Sequence, residues 1–270
     1  MPMQKTKKVY LSTIPLQITP QMVDYVIDKS CGFKNPKEFI TYFPIVTLMR
    51  NTVQDGDEIG VILVYEEDDR TQLNYAPLLA EIEKVSKEYS LATPETHTET
   101  FWTGKLAFEE NGQKRVDMAL GESQTFNTPV LSIIKTNTEE SISERNKLIS
   151  KLEEAVIGMR DAIAPDGTVE LYIDYTYGEK PIPIVFWDMI EEMELFNIVT
   201  PYCVYGAYNF YTGKSTLYNY DFAEKIRKRT VESMKNLLNL PGIDPKQVEL
   251  AALEYVLGMA EPDDGEDEEE

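Results

Sequence analysis

Glu170-Leu-Tyr-Ile-Asp174-Tyr-Thr176-Tyr-Gly178-Glu-Lys180-Pro-Ile-Pro183 is the stretch whose reading decides the fold. The apolar, β-rich run Val169 to Ile173 ends in polar Asp174 and Thr176. Gly178 then marks a turn, Lys180 follows, and two prolines open the amphipathic run Ile184 to Phe196. This is a strand, a tight turn and a helix. Proline suits a first helical turn, where its missing N–H costs nothing. Free backbone N–H groups at such a helix start favour anions, phosphate above all. Lys180 adds a mobile positive charge beside them.

Outward from this unit the chain alternates. Lys8 to Ile14 reads as a first strand. A helix is expected from about Pro20 to Ser30 and a second over Pro36 to Asn51, interrupted near Pro44. Glu58 to Tyr65 is almost continuously apolar, as in a parallel strand buried on both faces. Tyr75 to Tyr89 reads as a helix and Thr128 to Lys135 as a strand. Leu148, Ile149, Leu152, Val156, Ile157 and Met159 trace a long amphipathic helix within Ser141 to Ile163. A further strand covers Ile198 to Tyr205. The expected class is α/β: a Rossmann-like open, mostly parallel sheet with helices on both faces. Thr96 to Asn127 breaks the alternation and reads as a β-rich insertion with an Asn111-Gly112 turn. The expected organisation is a domain over 1–219, a C-terminal helical segment over 220–260 and a disordered acidic tail over 261–270.

The charge limits the partners. The 270 residues carry a net charge of −21, and the last ten hold eight acids and no base. A broad basic face for duplex nucleic acid is not expected. An anion would sit in a local pocket of amides and a few basic side chains. No apolar run reaches membrane-spanning length and none resembles a signal peptide, so a cytoplasmic protein is expected. Cys31 and Cys203 are too far apart in sequence to suggest a metal motif. No metal or cofactor is expected.

With these elements in order, the chain resembles the CRISPR-associated Rossmann fold (CARF) family. The resemblance covers roughly residues 7 to 210. It rests on the branch whose late strand ends in Asp-x-Thr-His-Gly-x-Arg-x-x-Pro. The matching run here is Asp174-Tyr175-Thr176-Tyr177-Gly178-Glu179-Lys180-Pro181-Ile182-Pro183. Tyrosine stands for the histidine and lysine for the arginine. Ser12-Thr13 match the small polar loop after the family's first strand, and Tyr205-Gly206-Ala207-Tyr208 match the strand after the motif helix.

The resemblance implies a homodimer that binds cyclic oligoadenylate, the ring-shaped messenger of type III CRISPR antiviral defence, across its two-fold axis. It implies ligand contacts from Ser12, Thr13, Thr176, Tyr177, Gly178, Glu179, Lys180 and Tyr208. Tyr175, Tyr177 and Tyr208 are candidates to stack on adenines, or else half-buried rings at a sheet end. Three readings follow. In one, the chain is a sensor that signals to a protein effector through its C-terminal region. In another it is a metal-independent ring nuclease. The ribose 2′-hydroxyl then attacks the adjacent phosphate, with Lys180 and Ser12 as catalytic candidates. In a third it binds a different nucleotide. A dinucleotide site is disfavoured, because no Gly-x-Gly-x-x-Gly follows the first strand.

Competing motifs are weaker. The lone histidine, His97, excludes the Arg-x-x-x-x-His nuclease pair common in the family. Glu66-Glu67-Asp68-Asp69 reads as a solvated loop rather than a metal-nuclease site. Tyr211-Thr212-Gly213-Lys214-Ser215 lacks the first glycine of a phosphate loop, having Tyr208 in its place.

Overall fold

The computed structural model describes residues 7–16, 22–67, 69–91, 95–108, 114–137, 143–165, 167–178 and 181–220. All lie in the first of the two units into which the chain divides, Met1–Asp221 and Phe222–Glu270. The expected C-terminal helical segment beyond Tyr220, the acidic tail and the Asn111-Gly112 turn lie outside the described residues.

The strands are β1 (Lys8–Thr13), β2 (Val23–Ile27), β3 (Phe39–Thr41), β4 (Ile59–Glu66), β5 (Glu95–Phe108), β6 (Lys114–Thr128), β7 (Val130–Thr136), β8 (Val169–Asp174), β9 (Val199–Asn209) and β10 (Lys214–Asn219). The helices are α1 (Pro44–Thr52), α2 (Asp69–Glu88), α3 (Arg145–Ile163) and α4 (Pro181–Leu195). Eight strands form one sheet in the order β3-β2-β10-β9-β8-β1-β4-β7, and β5 and β6 form a separate hairpin. β9, β8, β1, β4 and β7 run parallel. In chain order these five occupy the sequence 5-4-1-2-3, the doubly wound arrangement expected of a Rossmann-like sheet.

Alternation along the strands builds a core on each face. Val9, Leu11, Ile62, Val64, Leu171 and Ile173 pack with Leu152, Val156 and Met159 of α3 and Val185, Phe186 and Met189 of α4. Tyr10, Val61, Leu63 and Tyr172 point the other way and pack with Leu48 of α1 and Leu79 and Ile82 of α2. Gly60 admits α3 closely, since a Cβ there would lie 2.8 Å from the Met159 sulfur.

Three sequence expectations are corrected. The helix expected from Pro20 to Ser30 is instead β2 and a short 3-10 turn over Lys29–Cys31. The helix expected over Pro36 to Asn51 is β3 followed by α1, which Pro44 opens. β10 is a strand where the sequence pattern announces none. It pairs antiparallel with β9 and parallel with β2. β2 therefore runs opposite to β1. β1 ends and β2 begins at the same carboxyl edge of the parallel strands, with β8, β9 and β10 between them.

Candidate functional site

In an open α/β sheet the strand order reverses at one place, and the crevice beyond the carboxyl ends there is where ligands bind. Here the reversal lies between β1 and β8. The chain continues from β1 to its neighbour β4 on one side and from β8 to β9 on the other. Ser12 is level with Asp174 across this boundary, and Thr13 is level with Val64 of β4. The Asp174–Gly178 turn thus lies beside Ser12-Thr13, with α4 beginning at Pro181.

The turn is held from several directions. Asp174 Oδ1 accepts from the Thr176 N–H at 2.9 Å, which closes the turn on its own side chain. Asp174 Oδ2 accepts from the Ser12 hydroxyl at 3.0 Å. The Thr13 hydroxyl donates to the Tyr177 carbonyl. Thr176 Oγ1 accepts from the Gly206 N–H at 2.8 Å, tying the turn to β9. The Tyr177 and Tyr25 hydroxyls are 2.9 Å apart, tying it to β2. Gly178 has φ +103, and a Cβ there would lie 2.8 Å from Thr13 Oγ1 and 3.2 Å from Glu66 Oε1. Only glycine meets both conditions without displacement.

Ser12, Thr13, Thr176, Tyr177 and Gly178 are therefore brought together. Ser12 and Thr13 are 2% and 1% exposed, and their hydroxyls are used inside the protein. Thr176, Tyr177 and Gly178 are half-buried. Glu179 and Lys180 lie outside the described residues. Tyr208 stands farther along β9, beyond Val204, the register partner of Asp174. It is exposed, and its ring meets Phe210 edge-on at 5.1 Å. Tyr175 is a buried sheet-end ring against Phe186 of α4, which removes it as a stacking surface.

Two acids at this edge are buried, which the sequence reading does not anticipate. Asp174 is fully buried, and burial pushes its carboxyl up to about 6, partly offset by the bonds from Thr176 and Ser12. Glu66, expected in a solvated loop, is instead the last residue of β4 and 5% exposed. The signal for it is phase, because Ile62, Val64 and Glu66 fall on one face of the strand. Among the described residues no three His, Cys, Asp or Glu side chains gather as a metal site requires. His97 lies elsewhere, 2.9 Å from Glu99 and 3.1 Å from the Tyr75 hydroxyl. Lys214, from the failed phosphate-loop motif, pairs with Asp24 at 2.8 Å and Glu38 at 2.9 Å. Among the described residues no helix is long and apolar enough to cross a membrane.

The arrangement offers a turn of fixed shape beside a helix start, walled by buried hydroxyls and acids. Compared with known proteins, the chain matches no family model and no curated protein.

Proposed function

We propose that the chain is a cytoplasmic sensor that binds cyclic oligoadenylate as a homodimer in type III CRISPR antiviral signalling. The observation that carries this reading is the position of the Asp174-x-Thr176-x-Gly178 turn at the strand-order reversal, beside Ser12-Thr13 and ahead of α4. A phosphate ring lying over that edge would meet backbone N–H groups near Gly178 and the Ile182 N–H at the start of α4, where Pro181 and Pro183 offer none, with Lys180 as the cation. A two-fold axis through the ring would use each donor twice. Tyr208, farther along β9 toward the same edge, is the candidate for stacking on adenine.

Sensing stands ahead of cutting because of Ser12. Its hydroxyl is turned to Asp174 and 2% exposed, so it does not face a ligand as a catalytic group would. Ring cleavage by the 2′-hydroxyl would then rest on alignment and Lys180 alone.

The test is calorimetric titration of the pure protein with cyclic tri-, tetra- and hexa-adenylate, with labelled rings followed for products. One ring should bind per two chains and remain uncut. Lys180→Ala should weaken binding by about 1.5–3 kcal/mol for each charge-assisted hydrogen bond that the lysine makes to the ring. Rapid turnover of the ring would establish the nuclease reading. Failure of every ring to bind would leave the general nucleotide-binding reading.

A further inference from the structure

The hairpin of β9 and β10 displays aromatic rings to solvent. β8 ends level with Val204, and β9 continues to Asn209 paired with β10. Tyr205 and Tyr218 are level on the two strands, and the Tyr220 ring lies 5.1 Å from that of Tyr205. Alternation sets Tyr205 on the same face as Val199 and Cys203. Those two are buried in the core beneath α3 and α4, whereas Tyr205, Tyr218 and Tyr220 are 40%, 43% and 41% exposed. The tip adds Phe210 and Tyr211, which are 89% and 100% exposed. At ~150–250 Å² for a whole aromatic side chain, these five expose roughly 500–800 Å². That approaches the ~800 Å² per partner of a stable protein interface.

A built turn holds the tip. Asn209 Oδ1 accepts from the Tyr211 and Thr212 N–H groups at 2.9 and 3.2 Å, and the Asn209 carbonyl accepts from the Gly213 N–H at 2.9 Å. Gly213, at φ +68, turns the chain back into β10. Rings on a fixed turn are ordered at less cost when they bind.

The charge of the hairpin selects the partner. Lys214 is the one charged residue from Ile198 to Tyr220, in a chain with 47 acids. Two chains of −21 repel wherever their acids face each other, so an acid-free surface is where a second copy meets least resistance. Single-stranded nucleic acid needs cations along its backbone as well as rings. Lys214 is already paired with Asp24 at 2.8 Å and Glu38 at 2.9 Å.

We propose that a second copy of the chain docks on this hairpin, with Tyr205, Phe210, Tyr211, Tyr218 and Tyr220 of the two copies meeting about a two-fold axis. The inference rests on the homodimer of the proposed function and names its contact surface. A two-fold contact is self-complementary, so each ring is used twice. The Gly206 N–H of the hairpin bonds Thr176 of the Asp174–Gly178 turn, so this contact would set both copies of the turn near the axis.

Sedimentation equilibrium of the full chain without ligand tests it. The unaltered protein should be a dimer at micromolar concentration. Phe210→Ser/Tyr211→Ser, both at exposed positions, should raise the dissociation constant about thirty-fold or more, with the unfolding midpoint of the dilute monomer unchanged. Tyr211→Glu, which puts an acid on each hairpin, should weaken the dimer more at low salt than at high salt. A monomeric unaltered protein, or a dimer indifferent to these variants, would overturn the proposal. Calorimetry with cyclic tri-, tetra- and hexa-adenylate on the same samples separates it from the sensor reading. A dimer that responds to the variants but binds no ring keeps this interface and sinks that reading, and a ring-binding dimer indifferent to them does the reverse. A monomer that binds linear oligoadenylate through the same rings would assign the hairpin to nucleic acid and overturn the proposal.

Discussion

Asp174 ends a strand whose other buried residues are mostly apolar, and its carboxyl has no water to ionise into. The unfolded chain titrates this group near the ordinary aspartate value of ~3.9. Burial raises it to about 6 in the folded protein. Between these values the folded state holds more protons than the unfolded one, so stability falls as pH rises through the window. The raised value is a cost of keeping Asp174 charged at neutral pH, and the bonds from Ser12 and Thr176 keep that cost from being larger. Asp174→Asn removes the titration and keeps an acceptor for the Thr176 N–H. Relative to the unaltered protein, it should gain roughly 2–3 kcal/mol of stability between pH 4 and pH 7, at ~1.4 kcal/mol per pKa unit. Urea unfolding across that range measures it, and a flat difference would sink the assignment.

Among the elements, the parallel strands owe their alignment to residues that meet at equal register. Tyr10, Tyr172 and Tyr202 lie level on β1, β8 and β9 and stack at 5.2 and 4.9 Å. Such cross-strand aromatic pairs fix register, since a slip of one residue would turn each ring to the other face. At the opposite edge Lys8 of β1 meets Asp57, just before β4, at 2.7 Å, with both buried. Asp57 also accepts from the Gln54 N–H at 2.9 Å. Lys8→Met keeps most of the stem and leaves Asp57 without its cation. That should cost about 3–5 kcal/mol, seen as a lower urea midpoint, and a loss below about 1 kcal/mol would show the pair to be dispensable. The same elements show what sequence can reveal. β1, β4 and β8 are legible because both their faces are apolar, and α3 because its buried residues recur at helical spacing. β2 reads wrongly as a helix because the proline before it suggests a helix start. Its buried residues, Tyr25 and Ile27, alternate as in a strand. β10 carries one large buried apolar side chain, Leu217, too little to register as a pattern. The Asp174–Gly178 turn is legible as chemistry. The burial of Ser12 and Thr13 is not, because it depends on which strands become neighbours, whereas that of Glu66 is signalled only by its phase with Ile62 and Val64.

For the molecule as a whole, charge sets how an anionic ligand arrives. The chain carries −21, so under the proposed reading a phosphate ring would approach against a repulsive field and would be held only by short-range donors at the sheet edge. Proteins that bind nucleic acid through basic faces behave in the opposite way, and their binding weakens steeply with salt. Here salt should screen the approach while leaving the buried hydrogen bonds of the turn intact. The screening length shrinks from ~30 Å at 0.01 M to ~8 Å at 0.15 M, so repulsion from charges remote from the edge fades over that range. If the proposed sensor reading holds, the association rate of cyclic oligoadenylate should therefore rise several-fold between those two salt concentrations. The dissociation rate, governed by contacts at the edge, should change less. Stopped-flow mixing of labelled ring with protein measures both. An association rate that falls with salt would mean that local lysines, rather than the net charge, govern the encounter.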